Sequence, residues 1–216
     1  MMLVACGACS FRLPGNDGVT GDGPLAADGQ GSGSGDGSGG GDGSGGGAFD
    51  PARDCPQGYG VMVASTSATS RYRVIDTADT AWVGYAACEA DGHHALSIGS
   101  MTELTEITTA LGSAVQTRFY IGGVQDPKAT LPGMAWINFD GTTLLDTAWY
   151  TPEAEPNDLD DGDETDHEQQ LAIIDRISLY LHDAVGNTVY GTICECDGKA
   201  ISAKARTFVD ADPNKP

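Results

Sequence analysis

The residues best suited to chemistry lie in Thr151–Gln170, TPEAEPNDLDDGDETDHEQQ. Between Glu153 and Glu168 it holds nine carboxylates, at 153, 155, 158, 160, 161, 163, 164, 166 and 168, and no Lys or Arg. Like charges at this density repel one another and favour an open, solvated loop unless a cation joins them. At its front, Glu155-Pro156-Asn157 sets a carboxylate and an amide oxygen two residues apart, with a proline fixing the chain between them. These are hard oxygen donors, of the kind calcium gathers in sets of about 6–8. Asp158, Asp160, Asp161 and Asp163 offer a second, purely structural way to hold the same ion. They do not make an EF-hand, because the glycine falls one place early and Gln169 stands at the twelfth position.

Other chemistries fit less well. A glycosidase needs one carboxyl of a pair desolvated, and this loop is too polar to supply that. Adjacent His93 and His94 seldom face one ion, so a turn is the better reading. No nucleophile–base constellation occurs, and the chain does not read as an enzyme. Trp82, Trp136 and Trp149 read as core residues rather than sugar platforms, because aromatics dominate core packing.

Charge narrows the partners. The 216 residues include 31 acidic and 11 basic side chains, for a net charge of −20. No basic stripe is present to displace counterions from phosphates, which excludes nucleic acid and disfavours direct adhesion to anionic lipid. No apolar run approaches the ~18–20 residues of a membrane span. The six cysteines, at 6, 9, 55, 88, 194 and 196, make no paired CxxC zinc pattern. Cys55 and Cys88, far from the pair at 194 and 196, read as disulfide partners of an oxidising compartment.

The elements that must position the acidic stretch follow from composition and period. Residues 1–14 read as the remnant of an export signal. Leu3-Val4-Ala5-Cys6 resembles a bacterial lipobox and Gly7-Ala8-Cys9 is a second candidate, so Cys6 or Cys9 would carry lipid. The segment is shorter than the ~15–30 residues of a complete signal, which places the expected true start upstream. Residues 15–52 read as a linker: Gly15–Gly47 alone holds 16 of the 31 glycines and almost nothing apolar. Residues 53–200 read as one globular domain, and 201–216 as a tail. Within the domain, Gly60–Ser65 and Arg71–Ile75 read as strands, and Asp76–Asp91 as an amphipathic helix capped by Asp76. A second helix starts at the Ser100–Glu103 capping box and stops at Gly112. Strands are expected at Thr117–Ile121, Ala135–Phe139, Leu171–Ile174, Ile177–Leu181 and Thr188–Glu195. Two helices followed by short strands indicate an α+β fold.

Ordered landmarks over Cys55–Lys199 resemble a C-type lectin-like domain. Ala81-Trp82 through Cys88 looks like the first helix of that family with its core cysteine, and Gly92-His93-His94-Ala95-Leu96-Ser97-Ile98 is similar to its G-x-x-L-x-S-I turn. Tyr120-Ile121-Gly122-Gly123 stands in place of WIGL, Trp136 with Asp140-Gly141 in place of W-x-x-DG, and Glu155-Pro156-Asn157 is the EPN motif. Leu181-His182-Asp183 occupies the WND position, and Tyr190–Glu195 ends in Ile-Cys-Glu. The resemblance implies two helices, small antiparallel sheets and a long loop region. It also implies a Cys88–Cys194 disulfide, leaving Cys55 and Cys196 as a second pair; Gln170 and Gly186 replace the family's other bridge. Calcium held by Glu155, Asn157, Glu168 and Asp183 would be completed by the hydroxyls of a mannose-type sugar, with His182 beside it in the place of asparagine. Glu164 competes with Glu168 for its position. The implied module is exported, extracytoplasmic, and bound to the membrane only through a lipid anchor. Its partner is a carbohydrate or glycoconjugate or, in the alternative, a protein surface met by a non-sugar adhesion module with or without structural calcium.

Overall fold

The computed structural model describes residues 48–156, 171–212 and 215–216. The N-terminal segment with Cys6 and Cys9, the glycine linker up to residue 47, and Asn157, Glu164 and Glu168 lie outside the described residues. A short helix α1 (Pro51–Asp54) opens the domain, capped by the Asp50 carboxylate, which accepts from the Ala52 amide. Strand β1 (Arg71–Asp79) leads into helix α2 (Ala81–Ala90), and β2 (His94–Ala95) precedes helix α3 (Met101–Ala110). Strands β3 (Arg118–Gln125), β4 (Trp136–Asn138), β5 (Leu171–Asp175), β6 (Tyr180–Ala184) and β7 (Tyr190–Cys196) follow, with helix α4 (Ala203–Asp210) last. No helix among the described residues is long and apolar enough to cross a membrane.

The fold is α+β. The strands join in one seven-stranded sheet whose backbone order is β1-β7-β3-β5-β6, with β2 beside β7 and β4 beside β3. Its pairs are antiparallel except β3 with β7, which run parallel through Phe119↔Gly191 and Tyr120↔Thr192. Successive side chains of a strand point to opposite faces. On β3, Phe119 and Ile121 therefore enter one core cluster, with Leu104, Ile107 and Leu181, while Tyr120 enters the other, with Tyr85, Cys88 and Ile173. Trp136 and Trp149 are core residues, packed edge to face at 4.8 Å.

Three expectations change. The segment read as a strand over Gly60–Ser65 meets β1 only through the Val61↔Tyr72 bridge and passes into a 3-10 turn at Ala64–Thr66. Helix α2 begins at Ala81 rather than Asp76, because β1 runs on to Asp79, paired with Tyr190 of β7. The Asp76 carboxylate is no cap; it accepts from the amides of Val115 and Gln116 at 2.7 and 2.8 Å. The strand expected at Ile177–Leu181 starts at Tyr180, because the Asp175 carboxylate gathers the amides of Ile177 and Ser178 into a turn. By contrast α3 starts where its capping residues indicate. Ser100 Oγ accepts from the Glu103 amide at 3.1 Å, and the Glu103 carboxylate reaches back to the Gly99 amide at 2.8 Å.

Two disulfides clamp the ends of the domain to β7. Cys88–Cys194 joins α2 to β7, and Cys55–Cys196 joins the residue after α1 to the strand's last position. Behind α2, Trp82 packs on Gly186, whose carbonyl accepts from the Ala81 amide at 2.9 Å. The segment read as a tail carries α4, which buries Ala205, Phe208 and Val209 in the core and pairs Arg206 with Glu89 of α2 at 2.8 Å.

Candidate functional site

The front of the acidic stretch is folded back onto the edge strand β6. Trp149 bridges to Leu181, and the Tyr150 amide donates to the Leu181 carbonyl at 3.0 Å. A single turn over Thr151–Glu153 then ends at Ala154, which takes the left-handed conformation (φ 60°). That reversal lets the Glu155 amide donate back to the Tyr150 carbonyl at 3.2 Å and turns the Glu155 side chain toward β6. The Glu155–Pro156 peptide bond is cis.

The site is an acidic residue held against a histidine. His182 Nδ1 lies 3.1 Å from Glu155 Oε1. A carboxylate only accepts, so Nδ1 carries the proton of this bond. Its Nε2 meets Ser178 Oγ at 3.1 Å, and the Tyr150 ring packs over the imidazole at 5.0 Å. Both side chains are buried, 7% and 8% exposed. Burial pushes the Glu155 carboxyl upward, but the His182 hydrogen bond, with a looser approach of Asp183, outweighs it and holds the group below the ordinary glutamate range. Among the described residues, Glu155 Oε2 is buried and accepts no hydrogen bond of good geometry, with Asp183 approaching the carboxylate. A buried carboxylate oxygen in that state is costly unless something electropositive meets it.

Of the residues expected at this site, Glu155, His182 and Asp183 come together; Asn157 and Glu168 lie outside the described residues. In donor type they fit calcium: two carboxylates converge, one with a buried oxygen that no described residue meets in good geometry. His182 is fixed by Ser178, Tyr150 and Glu155, and acts as a support for the glutamate.

A second polar cluster went unnoticed in the sequence. A cavity of about 570 Å³ opens between Ser70, Glu103, Asp140, Glu195, Asp197 and Lys199. Glu195 accepts from Ser70 Oγ at 2.8 Å and from the Ser97 amide at 2.9 Å, and Glu103 accepts from Tyr72 Oη at 2.8 Å. Beside them His94 meets Asp197 at 3.1 Å, and Lys199 bridges Asp197 and Asp140 at 3.0 Å each. Burial lifts Glu195 to about 7 and raises Glu103. For Asp197 burial is outweighed by His94 and Lys199, and it falls to about 2. His94, Glu195 and Asp197 bring ligand atoms within 4.8 Å of one another, yet each is engaged by protein partners. His93 does not join them; its ring packs on Tyr59 instead.

The chain matches no family model and no curated protein. Solved structures do resemble it. A mouse scavenger receptor C-type lectin carbohydrate-recognition domain aligns with a TM-score of 0.53 and 16% identity, over 67% of this chain and 99% of that one. The cow C-type carbohydrate-recognition domain of CD23, described in the presence of a GlcNAc2Man3 oligosaccharide, gives 0.50 and 21%, over 68% and 98%. SPL-1 in a GlcNAc complex gives 0.51 and 17%, over 68% and 98%. With its helices and seven-stranded sheet, the chain has the C-type lectin-like fold.

Proposed function

We propose that the domain binds carbohydrate through calcium held at the Glu155 loop. The observation that carries this reading is the buried Glu155 carboxylate, turned onto β6 next to Asp183, with an Oε2 that no described residue meets in good geometry. Glu155 and Asp183 would hold the ion together with Asn157 and Glu168, and His182 would keep Glu155 in place. A bound calcium supplies open coordination positions for two vicinal sugar hydroxyls. The protein's part is to fix the oxygen donors and exclude competing ones. The Glu-Pro-Asn order favours mannose-type over galactose-type sugars by its resemblance to the family motif. Structures of the same fold are described in a GlcNAc complex or in the presence of an oligosaccharide, which is consistent with this use of the fold. The module is exported, presented on the glycine linker and anchored by lipid at Cys6 or Cys9; its two disulfides suit an oxidising compartment.

One observation favours a second reading, a protein-binding adhesion module without calcium. His182 already donates to Glu155 Oε1, the role a cation would otherwise fill. Thermal unfolding separates the two. Calcium at about a hundred times its dissociation constant stabilises a binding domain by about 2.7 kcal/mol, and mannose adds a further shift. No shift with calcium rejects the metal site; a calcium shift with no response on a glycan array favours adhesion.

A further inference from the structure

The histidine that holds Glu155 is itself held by the turn between β5 and β6. Asp175 Oδ1 accepts from the amides of Ile177 and Ser178 at 2.7 and 3.3 Å, and the Asp175 carbonyl accepts from the Leu179 amide at 2.9 Å. The other carboxylate oxygen takes Arg118 Nε of β3 at 3.1 Å, which ties the turn to the sheet. Leu179 then takes the left-handed conformation (φ 64°) and returns the chain along β6. This geometry brings Ser178 Oγ to 3.1 Å from His182 Nε2, while Nδ1 of the same ring lies 3.1 Å from Glu155 Oε1. The Asp175 carbonyl, 3.5 Å from Ser178 Oγ, is the weaker competitor for its proton.

An imidazole with one proton has one donor nitrogen and one acceptor, and the bond made by one decides the role of the other. A carboxylate has no proton to give, so Nδ1 must donate and Nε2 must accept. Exposed neutral histidine favours the reverse arrangement, with the proton on Nε2. Here that arrangement would aim the Nδ1 lone pair at the carboxylate and repel it. We propose that Ser178 is a positioning residue for the Glu155 site: its hydroxyl donates to His182 Nε2, holds the ring's proton on Nδ1, and so keeps the carboxylate turned onto β6. Tyr150 packs on the ring's face, a contact indifferent to which nitrogen carries the proton. The benefit to a bound ion rests on the calcium reading of Glu155. The order of the hydrogen bonds does not, since Ser178, His182 and Glu155 complete it without the ion.

Wild type, Ser178→Ala and Ser178→Thr are compared without calcium by long-range proton–nitrogen NMR of the His182 ring, at about pH 8, above the ordinary histidine range. Wild type shows the proton on Nδ1 and a bare Nε2. Ser178→Ala moves the ring toward the Nε2–H form, and Ser178→Thr, which keeps the hydroxyl, does not. In a calcium titration Ser178→Ala binds about two- to tenfold more weakly, the scale of one neutral hydrogen bond, and Ser178→Thr matches wild type. Equal melting temperatures without calcium check that the turn is intact. A wild-type ring with its proton on Nε2, or with both nitrogens protonated, overturns the proposal, as does a Ser178→Ala variant whose ring or whose calcium affinity matches wild type. If wild type binds no calcium while the ring responds as stated, the calcium reading of Glu155 fails and the hold of Ser178 on His182 stands.

Discussion

Replacing Glu195 by Gln should make the domain more stable at neutral and alkaline pH and flatten its pH dependence. Glu195 is 4% exposed and faces Ser70, Ser97, His94 and Asp197, with Tyr72 and Glu103 close behind. Burial raises its carboxyl from the ordinary 4.5 to about 7, so the folded state holds the proton more tightly than the unfolded chain. A raised carboxyl contributes stability that is fully present below its unfolded value and is lost as pH rises through its folded value. At about 1.4 kcal/mol per pH decade between the two values, the loss from about pH 4 to about pH 8 is on the order of 3 kcal/mol. His94 is raised as well, despite burial, by Asp197 and Glu195, and weakens the fold in the same direction as pH climbs past its ordinary 6.5. Asp197 acts oppositely, but only at the acid end, from its ordinary 3.8 down to about 2. Glutamine keeps the shape, its oxygen accepting from the Ser97 amide and its NH2 donating to Ser70. Urea unfolding of wild type and Glu195→Gln across this range is the assay. Equal slopes, or a variant less stable than wild type at about pH 8, would refute the reasoning.

Two further outcomes follow from the packing and the site. A Cβ at Gly186 would lie 2.3 Å from Trp82 Cζ2, so Gly186→Ala should cost about 1–3 kcal/mol. In a domain of this size that lowers the melting temperature by about 2–4 °C per kcal/mol, and Trp82→Phe in the same chain should restore part of it. His182→Ala removes the hydrogen bond that keeps Glu155 in place. Calcium affinity measured by titration should fall about tenfold or more, the cost of losing a residue that orients a metal ligand.

Local signals were readable where one segment decides its own structure. The Ser100–Glu103 pair marks the start of α3 because both of its hydrogen bonds are local. Residue type and order single out Glu155 and Asp183 as oxygen donors; that the two lie side by side, with 27 residues between Glu155 and the neighbouring His182, is a property of the folded chain. Asp76–Asp79 looks helical in sequence because Ala78, Ala81 and Trp82 have helical spacing, whereas pairing with β7 decides those residues. Ile177 has the β-branched character of a strand residue but sits in a turn, 76% exposed, because Asp175 organises the amides around it. The cluster around Glu195 was invisible because its contacts join residues far apart in the chain; Ser70 is 125 residues away. No periodicity encodes such a pair. The packing of Trp82 on Gly186 was likewise a property of the folded chain.

The sugar reading stands or falls with Glu155. Calorimetric titration of methyl mannoside into wild type with calcium, wild type with a chelator, and Glu155→Gln with calcium tests it directly. Glutamine can still accept from His182 Nδ1, so the variant should keep its calcium-free melting temperature. Saturable heat with calcium, abolished by the chelator and by Glu155→Gln, is the predicted result. Binding that survives chelation or the substitution, or no binding by wild type at millimolar sugar, would contradict it.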